Sequence, residues 1–330
     1  MVLFSIITNK SPLLNLGGVI EFYGGRFTFG YLVELFFIIS GFLAEYTFHE
    51  KDIFINWIYR RIQRIFPYAF IACVFSILNA IVYYVLTRKS LFNLSYDIPQ
   101  IITSLTLTHA GWIIEYTPAI NNPTWYLCIM IICFIVYFGL KQFAKNDKFI
   151  VIICSFLVSL TAAILYVDYH TEIKRIPFLR PSNCRGYSAF FEGVMIGVVL
   201  DQFKRKTDYI IYTIIPLAIV STLGIVKRGW SDYYLLVYFI YPAVVFFSVL
   251  VPQIQSRIVR SLSAISFEVY LWHVPIYGVI LTIFSIINVE VHHTYFTMIT
   301  FTVLVWIVAT VLYFMVEKPL AVGFHKRSKS

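Results

Sequence analysis

The sequence predicts an all-α fold, a polytopic transmembrane helix bundle that forms a single domain over residues 1–330. Composition and pattern both lead to this prediction. Hydrophobic residues make up 59% of the chain and charged residues only 13%, whereas a soluble globular protein is about 25% charged. The apolar residues also gather into runs of about 20, the length that a helix needs to cross the hydrocarbon core. We therefore expect a multi-pass protein of the cell membrane, in contact with the lipid bilayer.

The apolar runs predict nine transmembrane helices. In chain order they are Phe29–Thr47, Ile65–Thr87, Thr124–Leu140, Phe149–Val167, Gly186–Gln202, Tyr209–Val226, Tyr233–Val251, Ile265–Ile287 and Tyr295–Val316. The first residues have neither a basic start nor a small-residue cleavage site, so no cleavable signal peptide is expected.

The distribution of Lys and Arg predicts the orientation. If the C-terminus is cytoplasmic, sixteen of the 26 Lys and Arg fall on the cytoplasmic side and ten on the other. This bias agrees with the positive-inside rule and favours a cytoplasmic C-terminus, with residue 1 outside. The net charge of +9 is spread over short loops and does not form one basic face, so nucleic acid is not an expected partner.

Two outer loops differ from the rest. Arg88–Pro123 is the longest, and its half-apolar piece Ile98–Trp112 could lie in the membrane interface or re-enter the protein body. Asp168–Arg185 carries four cations against two acids. These cations either contact an anionic partner, such as a lipid phosphate or an acidic glycan, or are ordinary solvated charges.

Cysteines and histidines indicate no metal site. Four of the five cysteines fall in predicted spans and Cys184 in an outer loop, with no spacing typical of zinc. His109, His170, His292 and His293 are all expected in outer loops, exposed to solvent. No glycine pattern typical of nucleotide binding occurs either, which argues against nucleotide hydrolysis.

Two carboxylates stand within apolar segments. Glu34 lies in the middle of Gly30–Leu43, where an ionisable group is costly and usually belongs to a substrate or ion path, or pairs with an Arg of another helix. Glu192 lies near mid-span beside Gly193 and Gly197, whose four-residue spacing permits close helix packing. Either carboxylate could orient a base or hold a substrate hydroxyl.

His273 is the third candidate for catalysis. It lies inside a predicted span and two residues before Pro275, which prevents a regular hydrogen-bond ladder there. An imidazole at this depth is either the hydrogen-bond partner of a neighbouring helix or a proton-transfer group.

Two residues near the outer ends of spans are candidates for substrate binding. The sequence predicts that Trp125 is either an interface anchor or an aromatic platform for a sugar ring. Arg185, at the outer end of a helix, could reach Glu192 only by extending inward, and is retained as a possible substrate contact.

Six segments, taken in order, resemble the acyltransferase-3 family of membrane O-acyltransferases, which typically acetylate sugars of surface polysaccharides. They are GYLVELFFIISGFL (30–43), RRIQRIFP (60–67), PTWYLCIMII (123–132), RGYSAFFEGVMIG (185–197), ISFEVYLWHVPI (265–276) and YFMVEKP (313–319). The resemblance implies transfer of an acetyl or other short acyl group from cytoplasmic acyl-CoA, most often acetyl-CoA, to a hydroxyl of a cell-surface polysaccharide or lipid-linked glycan. It also implies a usual layout of ten helices with both ends cytoplasmic.

The basic run supplies candidates for donor binding. Arg60, Arg61 and Arg64 are spaced by three and four residues, so all can project from one side of a helix. Guanidinium groups bind phosphates bidentately, and the nucleotide end of acyl-CoA is rich in phosphate. The alternative is that these arginines only anchor the span Ile65–Thr87 on its positive side.

The beginning of the chain departs from the family pattern. Members usually open with a helix that carries an Arg and, about ten residues later, a His that is the expected base; here Ser5 stands roughly where that His would be. We expect either a shortened form, completed by upstream residues that include both groups, or a divergent member. Without that His, His273 becomes the best remaining base. A glycan transporter or flippase and a catalytically impaired membrane subunit stay open, although no inverted repeat supports transport.

Overall fold

The computed structural model describes residues 31–94, 96–115, 119–144, 146–168, 176–203, 231–250, 257–289 and 295–319. Throughout these ranges the regular structure is helical and no strand occurs, which confirms the predicted all-α bundle. The helices are α1 Leu32–Tyr46, α2 Phe54–Thr87, α3 Ile98–Leu105, α4 Trp125–Phe143, α5 Asp147–Asp168, α6 Pro181–Phe203, α7 Ser231–Leu235, α8 Tyr241–Leu250, α9 Arg257–Ile286 and α10 Tyr295–Leu312. Two π-helical turns, Leu236–Ile240 and Tyr313–Glu317, join α7 to α8 and extend α10.

Eight of the nine predicted spans contain a helix, while the ninth, Tyr209–Val226, lies outside the described residues. Within the described ranges five helices are long and apolar enough to cross a membrane: α2, α4, α5, α9 and α10. Three predicted starts were wrong, because α2 begins at Phe54 and not Ile65, α6 at Pro181 and not Gly186, and α9 at Arg257 and not Ile265. Hydropathy detects only the apolar middle of a helix, whereas backbone hydrogen bonding continues into its basic end.

The least apolar of the long helices, α6, is the centre of the bundle. It packs along α1 on one side and α5 on another, and nearly all of its residues up to Leu200 are buried. Gly41 of α1 faces the Phe190 carbonyl, and Gly193 of α6 faces the Ile38 carbonyl, so a Cβ at either glycine would overlap backbone. This contact confirms the predicted packing role of Gly193. Close packing removes the polar side chains of α6 from lipid.

The long loop re-enters the protein body, as one of the two alternatives predicted. Leu107, His109 and Ala110 are at most 1% exposed, and the Asn183 amide of α6 donates to the Gly111 carbonyl at 2.9 Å. Gly111 has φ +80°, a conformation that favours glycine. A segment held in this way can stay irregular at membrane depth because its polar groups are satisfied by protein.

The prediction that His109 is exposed to solvent was therefore wrong, and Cys184, predicted in an outer loop, lies in a helix. His109 is fully buried, with Nδ1 3.4 Å from the Cys128 sulfur and Nε2 3.5 Å from the Thr124 hydroxyl. Cys184 is buried in the first turns of α6, with its thiol directed at the Leu179 carbonyl. Both residues belong to segments that look like solvent loops until the re-entrant chain covers them.

Pro275 lies inside α9, which continues as one helix through it. Proline has no N–H to donate to the carbonyl four residues earlier, that of Leu271. The Asn121 amide donates to this carbonyl instead, at 3.1 Å. The Tyr270 hydroxyl donates in turn to the Pro123 carbonyl at 2.6 Å. The proline therefore creates the docking point that fixes the start of α4 against α9.

Candidate active site

Glu34 and Arg185 form an ion pair between α1 and α6, with Arg185 Nε 2.5 Å from Glu34 Oε1. Glu34 is fully buried, whereas 27% of the Arg185 side chain is exposed. Of the alternatives for Glu34, pairing with an Arg of another helix is what the structure shows. Pairing of Arg185 with Glu192 does not occur, because the guanidinium is directed across to α1. The charges balance, so the pair can lie at depth without an external ion.

Aromatic rings frame the guanidinium of Arg185. Its Cζ atom lies 5.5 Å from the ring centroid of Trp125 and 6.0 Å from that of Tyr31, within the range of cation–π attraction. Tyr31 meets Tyr233 edge to face at 4.9 Å, and Tyr233 lies next to the Glu34 carboxylate. These contacts make the half-buried Trp125 a wall of the ion-pair site, which favours the platform interpretation over a simple interface anchor.

Glu192 lies two turns further along α6, about 10 Å from Arg185 along the helix axis. It is 1% exposed, and neither of its carboxylate oxygens has a hydrogen-bond partner among the described residues. The π-helical turn that contains Tyr238 packs against α6 beside it, and such turns are frequent at functional sites. Glu192 is thus a second interior carboxylate, separate from the Glu34–Arg185 pair.

His273 is buried in α9, and its Nδ1 lies 3.3 Å from the carbonyl oxygen of Val269. A carbonyl only accepts, so this contact places the proton on Nδ1 and leaves Nε2 with its lone pair. Nε2 has no hydrogen-bond partner among the described residues. Tyr270 lies between His273 and α1. The centroid of its ring is 6.0 Å from that of His273 and 5.9 Å from that of Phe36, a residue of α1. His273 therefore belongs to the same aromatic interior as Glu34 without touching it.

The three arginines of the basic run do not share one environment. Arg60 Nη2 is 2.5 Å from Asp52 and its side chain is 56% exposed, and Arg64 is exposed. Arg61 turns inward, stacks 3.5 Å over the Trp57 ring and donates to the Thr47 hydroxyl at 2.9 Å. The expectation that all three present one phosphate-binding side was wrong, because adjacent helical positions diverge and Trp57 offers Arg61 an aromatic face.

The Asp52 carboxylate in this region accepts hydrogen bonds from two donors. Besides Arg60, it accepts the backbone N–H of His49 at 3.0 Å. Burial is the largest single influence and raises the pKa of Asp52, but the hydrogen bonds from His49 and Arg60 and the charge of Arg60 together hold that pKa below its ordinary value. Asp52 is therefore an anion at neutral pH, and it competes with any phosphate for Arg60.

A further polar cluster at this end of the bundle was not anticipated from the sequence. Glu45 of α1 accepts from the Tyr137 hydroxyl at 2.7 Å and from Lys141 at 2.9 Å. The sequence does show an acid, Glu45, at the end of one predicted span and a lysine, Lys141, at the end of another. These two residues predict an ion pair only when α1 and α4 are known to be neighbours.

The cation-rich loop is partly explained by internal pairing. Arg180 lies 2.7 Å from Glu115 and donates to the carbonyls of Trp112 and Ile113 at 3.4 and 3.3 Å. It therefore fastens the re-entrant segment to α6. The loop's other cations before it, Lys174 and Arg175, lie outside the described residues.

The fold and the site together define a class, a multi-pass membrane protein whose interior holds an ion pair, an aromatic wall and a buried imidazole. The family model described as an acyltransferase domain matches residues 4–315. The chain belongs to this family, acyltransferase-3, and the resemblance seen in its six segments is confirmed. An O-acetyl transferase of Shigella phage Sf6 is 25% identical over 270 residues, which cover 76% of this chain and 74% of the relative. No solved structure matches the chain. These comparisons support a membrane O-acyltransferase.

Proposed function

We propose that this protein transfers an acetyl group, or another short acyl group, from acetyl-CoA or a similar acyl-CoA to a hydroxyl of a cell-surface polysaccharide or lipid-linked glycan. The observation that carries the proposal is the Glu34–Arg185 pair framed by Trp125 and Tyr31. The family supplies the acyl transfer, and the name of the phage relative supplies the acetyl group.

The acceptor binds at this pair in our proposal. A sugar ring stacks its apolar face on Trp125, as aromatic platforms permit, while its hydroxyls hydrogen-bond to the carboxylate of Glu34 and the guanidinium of Arg185. Because the two charges neutralise each other, the site suits a hydroxyl better than an ion. The partly exposed guanidinium is also suited to stabilise the oxyanion that forms during acyl transfer.

The donor enters from the end of α2 that carries Arg60 and Arg64, which is cytoplasmic in the proposed orientation, with the C-terminus on the same side. These two exposed side chains bind the phosphates of CoA, and Arg60 exchanges Asp52 for a phosphate. Arg61 stacks on Trp57 of its own helix and contributes by linking the start of α2 to Thr47 at the end of α1.

His273 acts as general base in this scheme, because its Nε2 carries the free lone pair. The acceptor hydroxyl gives its proton to Nε2 as its oxygen attacks the thioester carbonyl. The C–S bond then breaks, the ester forms, and the thiolate of CoA takes the proton from the imidazolium. Glu192 is the second carboxylate available for proton transfer.

Purified protein in lipid nanodiscs, supplied with labelled acetyl-CoA and the glycan fraction of the producing membrane, tests the proposal. We expect label on the glycan with the wild type and none with Glu34→Gln, whose amide preserves the shape of the site. Glycan transport in proteoliposomes without labelling would instead identify a transporter. An absence of labelling and of transport in the folded protein would favour the impaired subunit.

A further inference from the structure

A short helical turn, Asn122–Thr124, leads directly into α4. Trp125, whose ring frames Arg185, is the first residue of that helix, so the turn fixes where the ring lies. The carbonyl of Asn121 closes the turn, because it accepts the backbone N–H of Thr124 at 3.0 Å and the Thr124 hydroxyl at 2.6 Å. Asn121 and Thr124 are both fully buried. The turn and the start of α4 therefore form one rigid unit that carries Trp125.

Two hydrogen bonds join this unit to α9, just before His273. The Asn121 amide donates to the Leu271 carbonyl at 3.1 Å, and the Tyr270 hydroxyl donates to the Pro123 carbonyl at 2.6 Å. Leu271 and Tyr270 come two and three residues before His273 in the sequence. The Tyr270 ring also packs near the His273 ring, with centroids 6.0 Å apart. The residues that bind the turn are thus immediate neighbours of the imidazole.

Pro275 makes the shape of α9 depend on the turn. The proline leaves the Leu271 carbonyl without its helical donor, at a position where helices commonly kink. A buried carbonyl needs a donor, and here the donor is the Asn121 amide, which comes from a different part of the chain. The path of α9 at this level is therefore restrained by the turn and not by the helix alone.

The proposed reaction needs a fixed distance between the start of α4 and this part of α9. A sugar hydroxyl bound against Trp125 must come within about 2.6–3.2 Å of His273 Nε2 to give up its proton. Trp125 and His273 belong to different helices, so the contacts that join α4 to α9 set their separation. A displacement of about 1 Å in such an arrangement can cost about 10²-fold in rate.

We propose that Asn121 and Tyr270 are positioning residues, which hold His273 at the distance from Trp125 that proton transfer from a bound hydroxyl requires. This inference rests on the proposed function and adds to it two residues that act through the base and not on the substrate. Asn121 acts through the backbone of α9, and Tyr270 through its hydroxyl and its ring. Their loss should slow the chemical step and leave the affinity for the donor unchanged.

Steady-state kinetics of acetyl transfer in nanodiscs test the inference. Asn121→Leu removes the amide at similar side-chain shape, and Tyr270→Phe removes only the hydroxyl. Each should lower kcat about 10–10²-fold with an unchanged KM for acetyl-CoA. Asn79→Leu is the matched control, because Asn79 of α2 also binds α9, where it accepts from the Thr282 hydroxyl at 3.2 Å, nine residues beyond His273. It should leave kcat unchanged.

A first double variant separates positioning from stability. Asn121→Leu with Pro275→Ala gives the Leu271 carbonyl a backbone N–H of its own helix, so it should unfold at the same temperature as Pro275→Ala alone. Its kcat should stay low, because the turn is still detached from α9. A kcat equal to that of Pro275→Ala alone would overturn the inference, since Asn121 would then only satisfy a carbonyl.

A second double variant asks whether Asn121 acts through the base. Asn121→Leu should lower kcat no further in a His273→Gln background, because no imidazole is left to position. A further loss as large as in the wild-type background would overturn the inference.

The outcomes also separate this inference from the proposed function. Acetyl transfer by the wild type, with the same kcat in Asn121→Leu and Asn79→Leu, would overturn the inference alone. If Asn121→Leu by itself did not fold, the kcat of its combination with Pro275→Ala would decide. If the wild type transferred no acyl group from acetyl-CoA, the proposed function would fail and this inference with it.

Discussion

Removing one partner of the Glu34–Arg185 pair should cost more stability than removing both. Arg185→Gln leaves a fully buried Glu34 carboxylate uncompensated, for which the cost of breaking a buried pair is about 3–5 kcal/mol. Glu34→Gln leaves a guanidinium that is already 27% exposed and can move toward water. We therefore expect this variant to lose only about 1–3 kcal/mol of stability. The double variant carries neither charge and should be close to the wild type in stability.

The free energy of unfolding of all four proteins in lipid bicelles completes a double-mutant cycle. We expect a coupling energy of at least about 2 kcal/mol. Arg60→Gln and Asp52→Asn provide the control cycle, because that pair has the same 2.5 Å separation but a 56% exposed arginine, and its coupling should be about 0–1 kcal/mol. An Arg185→Gln variant that unfolded as readily as the double variant, and no more readily than Glu34→Gln, would show that the buried Glu34 carboxylate does not depend on its partner for stability.

Further predictions concern the donor end and the base. Arg60→Ala with Arg64→Ala should raise the KM for acetyl-CoA by the equivalent of about 1.5–3 kcal/mol per lost contact, with insertion unchanged; unaltered donor binding in the folded variant would contradict this. Arg61→Ala should instead lower stability by loss of its stacking on Trp57, which thermal unfolding will detect even without donor. Asp52→Asn should lower the KM for acetyl-CoA, because Arg60 then has no carboxylate to leave before it binds a phosphate. The pKa of Asp52 is lowered in the folded chain, so its contribution to stability is present above its unfolded pKa and is lost as the pH falls through the folded pKa. Asp52→Asn should remove this dependence of stability on acid pH. His273→Gln should reduce kcat about 10²–10⁴-fold with little change in donor affinity, and should abolish the fall of kcat at acid pH that protonation of a general base causes; an unchanged pH profile of kcat would rule out the base.

The class of the fold is predictable from the sequence because lipid allows few backbone structures. A chain with runs of about 20 apolar residues must pair its backbone groups within helices, whatever its tertiary contacts. The central position of α6 in the bundle is harder to predict from the sequence. Its polar residues lower its hydropathy, yet among the described residues it is enclosed by α1 and α5, because its glycines allow α1 to pack closely.

The sequence marks single residues as candidates for the site, but it does not predict how they are arranged. Depth alone marked Glu34 as interior, yet its partner Arg185 lies 151 positions away, and no local pattern relates them. The same limit applies to Arg61, whose direction depends on Trp57, and to His109, which is buried only because the re-entrant segment folds inward. Such features are set by tertiary packing.

The mass of the surface glycan, compared between cells with and without the gene, shows whether this protein acetylates that glycan. Mass spectrometry should show one or more acetyl groups per repeat that require the gene, that return with the wild-type protein and that do not return with Glu34→Gln expressed at the same level in the membrane. A glycan of identical acyl content in the presence and absence of the gene would contradict the account.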